Sequence, residues 1–185
     1  MSHSPENCGI LLGNDLHRFG VRVRPVVHED VSELFGLIRA LADYEHLADA
    51  VTGSAADLET HLFGKRSYAE AIVAEERGGA EEMGRLIGFA LFFHNYSTFL
   101  TRPGLYLEDL FVLPDWRGRG IGKALLVNVA QLAVARGCGR LEWSVLDWNE
   151  AAIAFYERMG ASLMEDWRIC RVTGDRLNNV AATSL

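Results

Sequence analysis

The alternation of apolar and polar positions changes period several times along the chain. Val21-Arg22-Val23-Arg24 alternates like a half-buried strand and stops at Pro25. Val31, Leu34, Phe35, Ile38, Leu41 and Ala42 then recur at helical spacing, which predicts an amphipathic helix that ends near Asp43-Tyr44-Glu45. Asp30 and Glu33 stand at the spacing of a reciprocal cap for it. Ser54 predicts the cap of a second short helix running through Phe63. Residues 68–76 are β-rich and 78–84 form a polar turn. Residues 86–93 are an almost unbroken apolar run, the pattern of a strand buried on both faces.

After Arg102-Pro103-Gly104 the pattern predicts a strand over 105–113, a glycine-rich turn over 114–122 and a helix over 122–136. Leu125, Leu126, Val129, Leu132 and Ala133 form the apolar stripe of that helix, and Gly137 and Gly139 close it. A strand over 140–146 follows, then a helix capped by Asn149, running through Met159 and stopped by Gly160. A last strand is expected over 161–172. The order β, α, α, β, β, β, α, β, α, β predicts an α+β fold in which an antiparallel meander passes into a strand–helix–strand unit, giving a mixed sheet with helices on both faces. Residues 1–20 are expected to be a disordered leader, 21–172 one domain and 173–185 a polar tail.

Composition narrows the function. The 185 residues suit one domain with a sizeable core. A net charge of −7 disfavours nucleic acid as a partner and favours small cations. Cys8, Cys138 and Cys170 are odd in number and form no Cys-x-x-Cys pair, which argues against a disulfide framework or zinc, and the six histidines show no local metal spacing. No apolar run approaches the ~20 residues that span a bilayer, and no basic-then-apolar signal opens the chain. A cytoplasmic protein without metal or membrane partner is expected.

The sharpest local feature is Arg117-Gly118-Arg119-Gly120-Ile121-Gly122 between a predicted strand and helix. Unpaired N–H groups and the helix dipole at such a turn accept a pyrophosphate, and glycines permit close approach and positive φ. Arg117, Arg119 and Lys123 add positive charge. A dinucleotide-binding Gly-x-Gly-x-x-Gly is not met, because Leu125 follows Gly120 and Gly122 at the third position. A Walker A loop is not met either, because Arg117 and Ala124 occupy its first Gly and its Ser/Thr. A purely structural turn remains the alternative for the hexamer alone.

Together with its neighbours, this segment resembles the acetyl-CoA signature of the GCN5-related N-acetyltransferases. Tyr106-Leu107-Glu108-Asp109-Leu110-Phe111-Val112 precedes it, and Trp148-Asn149-Glu150 and the stretch from Ile153 to Ala161 follow it. The combination is similar to the spermidine/spermine acetyltransferases and their thialysine-acetylating relatives from about Val21 to Val172, with Asp43-Tyr44-Glu45 in register. The resemblance implies the GNAT fold, with about six to seven strands in a mixed, mostly antiparallel sheet, acetyl-CoA as cosubstrate, and a homodimer joined through the segment from Trp167 to Val172.

Amine acetylation makes three chemical demands. The ammonium must lose a proton, which at a reference pKa near 10.4 leaves roughly 1 molecule in 2,500 neutral at pH 7. The oxyanion needs a donor and the departing thiolate needs a proton. The resemblance implies Glu108 as the base, acting through water, and Tyr156 as the acid. Strict strand alternation puts Glu108 and Asp109 on opposite faces. A solvent-facing strand acid and a core tyrosine are the alternatives. Leu110, Phe111 and Val112 are expected to offer backbone groups to the acetyl carbonyl and the pantetheine arm, and Asn149 to cap its helix or lie near the pantetheine. Gly118, Gly120, Ile121 and Gly122 complete the expected cofactor set. Tyr44, Glu45, Glu142 and Glu165 are the expected acceptor-side residues, together with Glu108. The acceptor expected is a diamine or polyamine. Leu146-Asp147-Trp148-Asn149 looks more like the thialysine branch. A peptide acetyltransferase and a catalytically silent acetyl-CoA sensor are the remaining readings.

Overall fold

Val21 pairs with Glu76, and from there a computed structural model builds one continuous sheet. It describes residue 16 and residues 19–77 and 84–183, so the predicted leader and the predicted turn over 78–84 lie largely outside the described residues. Five strands lie side by side in sequence order. They are β1 (Val21–Pro25), β2 (Glu70–Glu76), β3 (Arg85–Ser97), β4 (Arg102–Val112) and β5 (Leu141–Trp143). The first four are antiparallel, and β5 joins β4 in parallel. The chain forms two compact units, one running to Ser144 and the other from Val145.

Three helices belong to the first unit: α1 (Val31–Tyr44), α2 (Ala55–Phe63) and α3 (Ile121–Ala135). Leu34, Leu37 and Leu41 of α1 and Leu62 of α2 meet Ala71, Val73, Phe89, Leu91 and Phe111 of the sheet. Each fully buried Leu or Phe there contributes about 1.5–3 kcal/mol of transfer free energy. α3 packs against β2, β3 and β4 with Ile121, Leu125, Leu126 and Val129 buried. Phe111 turns to the α1 side, and the next residue, Val112, reaches Gly122 of α3. Helices therefore cover both faces, as the pattern predicts.

Local chemistry sets the helix ends. At α2 the expected cap forms, with Ser54 Oγ accepting from the Asp57 N–H at 3.2 Å and Asp57 accepting from the Ser54 N–H at 3.0 Å. At α1 it does not. Asp30 is held by the Val27 N–H at 2.8 Å and by Arg24 at 2.5 and 2.8 Å, while Glu33 accepts the Leu86 N–H at 3.0 Å. Asp30 is thus taken by residues just before it in the chain and Glu33 by a distant strand, so the reciprocal cap is not made. The C-terminus of α1 closes in a Schellman motif, with Leu47 N–H on Ala42 O at 2.8 Å and His46 N–H on Asp43 O at 3.2 Å. His46 takes the left-handed position usually given to glycine, at φ 59°.

The second unit contains α4 (Glu150–Arg158) and α5 (Asp175–Ala181). Asn149 caps α4 by accepting the Ala152 N–H at 3.2 Å. The strand expected over 161–172 is not formed. That stretch carries no regular structure and is exposed almost throughout. Alternation along a segment does not make a strand unless a neighbouring strand supplies the ladder, so among the described residues the sheet has five strands rather than six or seven. The expected polar tail instead contains α5. Among the described residues no helix is long and apolar enough to cross a membrane.

Candidate active site

β4 does two things in succession. From Leu105 to Leu107 it pairs with β3 on one side and β5 on the other. Beyond Leu107 the pairing with β5 ends, and only β3 remains. At the same point the register to β3 shifts. Leu107 faces Phe92 and Asp109 faces Leu91, so Glu108 is an extra residue, the bulge of β4. A bulge breaks the period of two, and strict alternation therefore no longer assigns Glu108 and Asp109 to opposite faces. Glu108 is exposed and Asp109 is half-buried.

Past the bulge the strand presents an open edge. The Leu113 N–H donates to the Ile87 carbonyl at 2.9 Å. Antiparallel alternation then turns the backbone groups of Phe111 toward Phe89 and those of Leu110 and Val112 away from β3. Of the three residues expected to offer backbone groups, Leu110 and Val112 have theirs on the edge away from β3, where the Val112 carbonyl accepts from Arg117, and those of Phe111 are spent on the ladder.

Acids gather beside this edge. Glu45 is the C-cap of α1, and burial raises its carboxyl above the ordinary range. Asp109 is pushed up to about 6, first by burial and then by the charges of Glu108 and Glu45. Three carboxylates from α1 and the bulge of β4 therefore share one field. Asp109 is the residue that alternation missed. The available signal was a pair of consecutive acids inside an otherwise apolar strand. Tyr44, half-buried, stands one residue ahead of Glu45 at the end of α1.

The glycine turn leads into α3. Gly118 and Gly120 have φ of 74° and 81°, conformations that a side chain resists. Gly122 differs: it lies in the first turn of α3, and an added Cβ would meet only Val112 Cγ2 at 3.8 Å. Nothing in the protein around it requires a glycine there. The first helical bond runs from Ala124 N–H to Gly120 O at 2.9 Å, so the amides of Ile121, Gly122 and Lys123 precede the intrahelical ladder. Lys123 is exposed and Ile121 is buried as an anchor of α3.

The two arginines of the turn take different partners. Arg119 stacks over Trp116 at 4.6 Å and donates to the Asp115 carbonyl at 3.2 Å. Arg117 donates to the Val112 carbonyl at 3.0 Å and lies over the rings of Tyr44 at 4.3 Å and Phe111 at 5.6 Å. Glu142 of β5 stands across from Tyr106 of β4 and is ion-paired with Arg140. Tyr106 shares a hydrogen bond of 2.8 Å with Ser144.

The remaining expected residues belong to the second unit. Tyr156 is buried in α4 with its ring 5.2 Å from that of Phe155. Asn149 is the cap of α4, and Glu165 lies exposed in the irregular stretch after it.

Comparison with known proteins adds the family. Residues 40–161 match the acetyltransferase (GNAT) family model. The thialysine N-epsilon-acetyltransferase of Bos taurus is 35% identical over 87% of this chain and 97% of its own length. The L-ornithine N5-acetyltransferase of Arabidopsis thaliana is 32% identical over 89% of each chain. Among solved structures, an integron cassette protein from the mobile metagenome of V. cholerae superposes with a TM-score of 0.72 at 29% identity, covering 89% of this chain and 99% of its own. A bulged β4 parting from a parallel β5, a glycine turn into α3 and these matches converge on one assignment: the chain belongs to the GNAT acetyltransferase family and is an acyltransferase.

Proposed function

We propose that the protein transfers the acetyl group of acetyl-CoA to a primary amine of a small molecule carrying a second cationic amine. The observation that carries this reading is the shared field of Glu45, Glu108 and Asp109 beside Tyr44, on the strand that leads into an anion-binding turn. Acids suit an ammonium, and free helix N-terminal amides suit a pyrophosphate, so the two substrates have separate electrostatic homes.

The residues fit the cosubstrate. The amides of Ile121, Gly122 and Lys123, the space at Gly122 and the Lys123 ammonium would receive the pyrophosphate. Leu110 and Val112 would direct backbone groups at the acetyl carbonyl and the pantetheine arm. Acetyl-CoA supplies an activated thioester. Glu108, exposed at the bulge, takes the ammonium proton through a water. Asp109 and Glu45 hold the cation so that one nitrogen is positioned for attack. Tyr156 donates its hydroxyl proton to the departing thiolate. A cytosolic homodimer completes the reading. Its support is Trp167 and Ile169, apolar yet 70% and 68% exposed, within the segment expected to join two copies. Sedimentation of a single 20.5 kDa species would remove that part.

A second reading has its own support. The relatives named above act, by name, on thialysine and ornithine, both amino acids with a side-chain amine. In that case the acceptor is a diamino acid, and its carboxylate needs a cationic partner. The test compares kcat/KM for putrescine, spermidine, thialysine, ornithine and a simple monoamine in the wild type and in Glu45→Gln. The expected result is a loss of about tenfold for the diamines and little for the monoamine, the scale of one charge-assisted contact. Equal losses for all would show that Glu45 reads no second charge. A clear preference for thialysine or ornithine would select the amino-acid reading, and no CoA release with any amine would remove the function.

A further inference from the structure

Arg117 opens the glycine turn, yet its guanidinium is turned back from the turn onto the end of α1. Its Nε donates to the Val112 carbonyl at 3.0 Å, which fixes the direction of the planar head. That head lies 4.3 Å over the Tyr44 ring and 5.6 Å from the Phe111 ring. One side chain therefore touches the turn, the open end of β4 and the last residue of α1. The other arginine of the turn forms no such bridge, because Arg119 stacks on Trp116 and bonds Asp115, both within its own loop.

Resting on the reading of the site just given, we propose that Arg117 is a positioning residue that couples the cosubstrate turn to the amine-binding wall at Tyr44-Glu45. Movement of the turn onto a pyrophosphate moves Arg117, and Arg117 sets the plane of Tyr44 and with it the carboxylate of the adjoining Glu45. Coupling of this kind is reciprocal: bound CoA tightens the amine, and bound amine tightens CoA by the same factor. A flat guanidinium with a fixed Nε–H is required, since a lysine ammonium cannot both stack on the ring and donate in that geometry.

Two measurements test this. The first is a double-mutant cycle in urea unfolding with Arg117→Gln, Tyr44→Leu and the pair, with Tyr44→Phe as the variant that keeps the ring. The two losses should be non-additive by about three- to tenfold in the unfolding equilibrium constant, the scale of a cation–π contact, and Tyr44→Phe should preserve the coupling. The second uses Arg117→Lys. Calorimetric CoA binding should stay within about threefold of wild type, while the amine KM at saturating acetyl-CoA rises about tenfold and the tightening of spermidine by CoA disappears. An additive cycle overturns the contact. A CoA dissociation constant that rises as far as the amine KM overturns the positioning role and makes Arg117 a direct phosphate ligand. Absence of turnover with any amine in the wild type overturns the reading of the site and the coupling with it, whereas turnover with an additive cycle overturns the coupling alone.

Discussion

Asp109 on β4 titrates in the field of Glu45, the residue that closes α1, and only the folded sheet brings the two together. Burial, then Glu108, then Glu45 raise the Asp109 carboxyl to about 6 from an ordinary value of 3.8. A group whose folded pKa is raised lends stability that is fully present below its unfolded value and lost as pH rises through the folded one. Between about pH 4 and 6 the free protein should therefore lose stability from this group, by up to about 3 kcal/mol. Asp109→Asn should flatten that part of the profile and raise Tm above pH 6. On the proposed function a bound diamine would supply the missing counter-charge, so binding near pH 6 should release protons, seen in calorimetry as a heat that depends on the buffer's ionisation enthalpy. An unchanged stability profile in Asp109→Asn would contradict the field of acids.

Glu75 on β2 has the opposite sign. Burial pushes its carboxyl up, but hydrogen bonds from Arg24 and Arg22 and their charges outweigh burial and hold it at about 2. Arg24 bridges Glu75 at 3.1 Å and Asp30 at 2.5 Å, and this network ties β1, β2 and the entry to α1 together. The contribution is present above the ordinary carboxylate range and lost as pH falls toward 2. Glu75→Gln should destabilise the protein by about 3 kcal/mol at neutral pH, because it leaves Arg24 without one of its two carboxylate partners in a poorly solvated place. The urea midpoint reports this directly.

Gly120 and Gly122 separate backbone demand from ligand demand. Gly120 sits at φ 81°, so Gly120→Val should cost stability by at least about 1–2 kcal/mol whatever binds there. Gly122 is helical with only Val112 Cγ2 at 3.8 Å from an added Cβ, so Gly122→Val should fold nearly as well as the wild type. Its methyls would nevertheless stand where the proposed function seats the pyrophosphate. Thermal unfolding paired with calorimetric CoA binding should give opposite rankings for the two variants. Normal CoA affinity in a folded Gly122→Val protein would refute the cradle.

Tyr156→Phe removes one hydroxyl from α4 and leaves the ring that packs against Phe155. Loss of a general acid should lower turnover on the order of a hundredfold with acetyl-CoA affinity unchanged. The loss should shrink as the leaving thiol becomes more acidic, a dependence that a packing defect would not produce. Equal turnover in the two proteins with the best amine would take Tyr156 out of the mechanism.

Much of the architecture was legible in local pattern. Ser54 caps α2 and Asn149 caps α4 as their residue types predict. The apolar run inside β3 and the stripe of α3 lie where the period of their side chains places them. Legibility ended where a group had to choose between local and distant partners. Glu33 has the spacing of a capping residue with Asp30, but the Leu86 N–H, remote in the chain, takes its carboxylate instead. The stretch 161–172 has the composition of a strand, but pairing partners lie outside any one segment and none is supplied.

The sequence by itself determined the α+β class and the glycine turn at the head of α3, because periodicity and turn chemistry are local properties of the chain. Only the tertiary structure decided which side chains come together. The bulge at Glu108 depends on a register shift against Phe92 and Leu91, and no single strand contains that information. The proton affinity of Asp109 depends on burial and on Glu45, and Arg117 meets Tyr44 only because the fold brings the end of another helix to it. Electrostatic and stacking energies fall off with distance in space, so residues remote in the chain acquire them only when the sheet and helices set that distance.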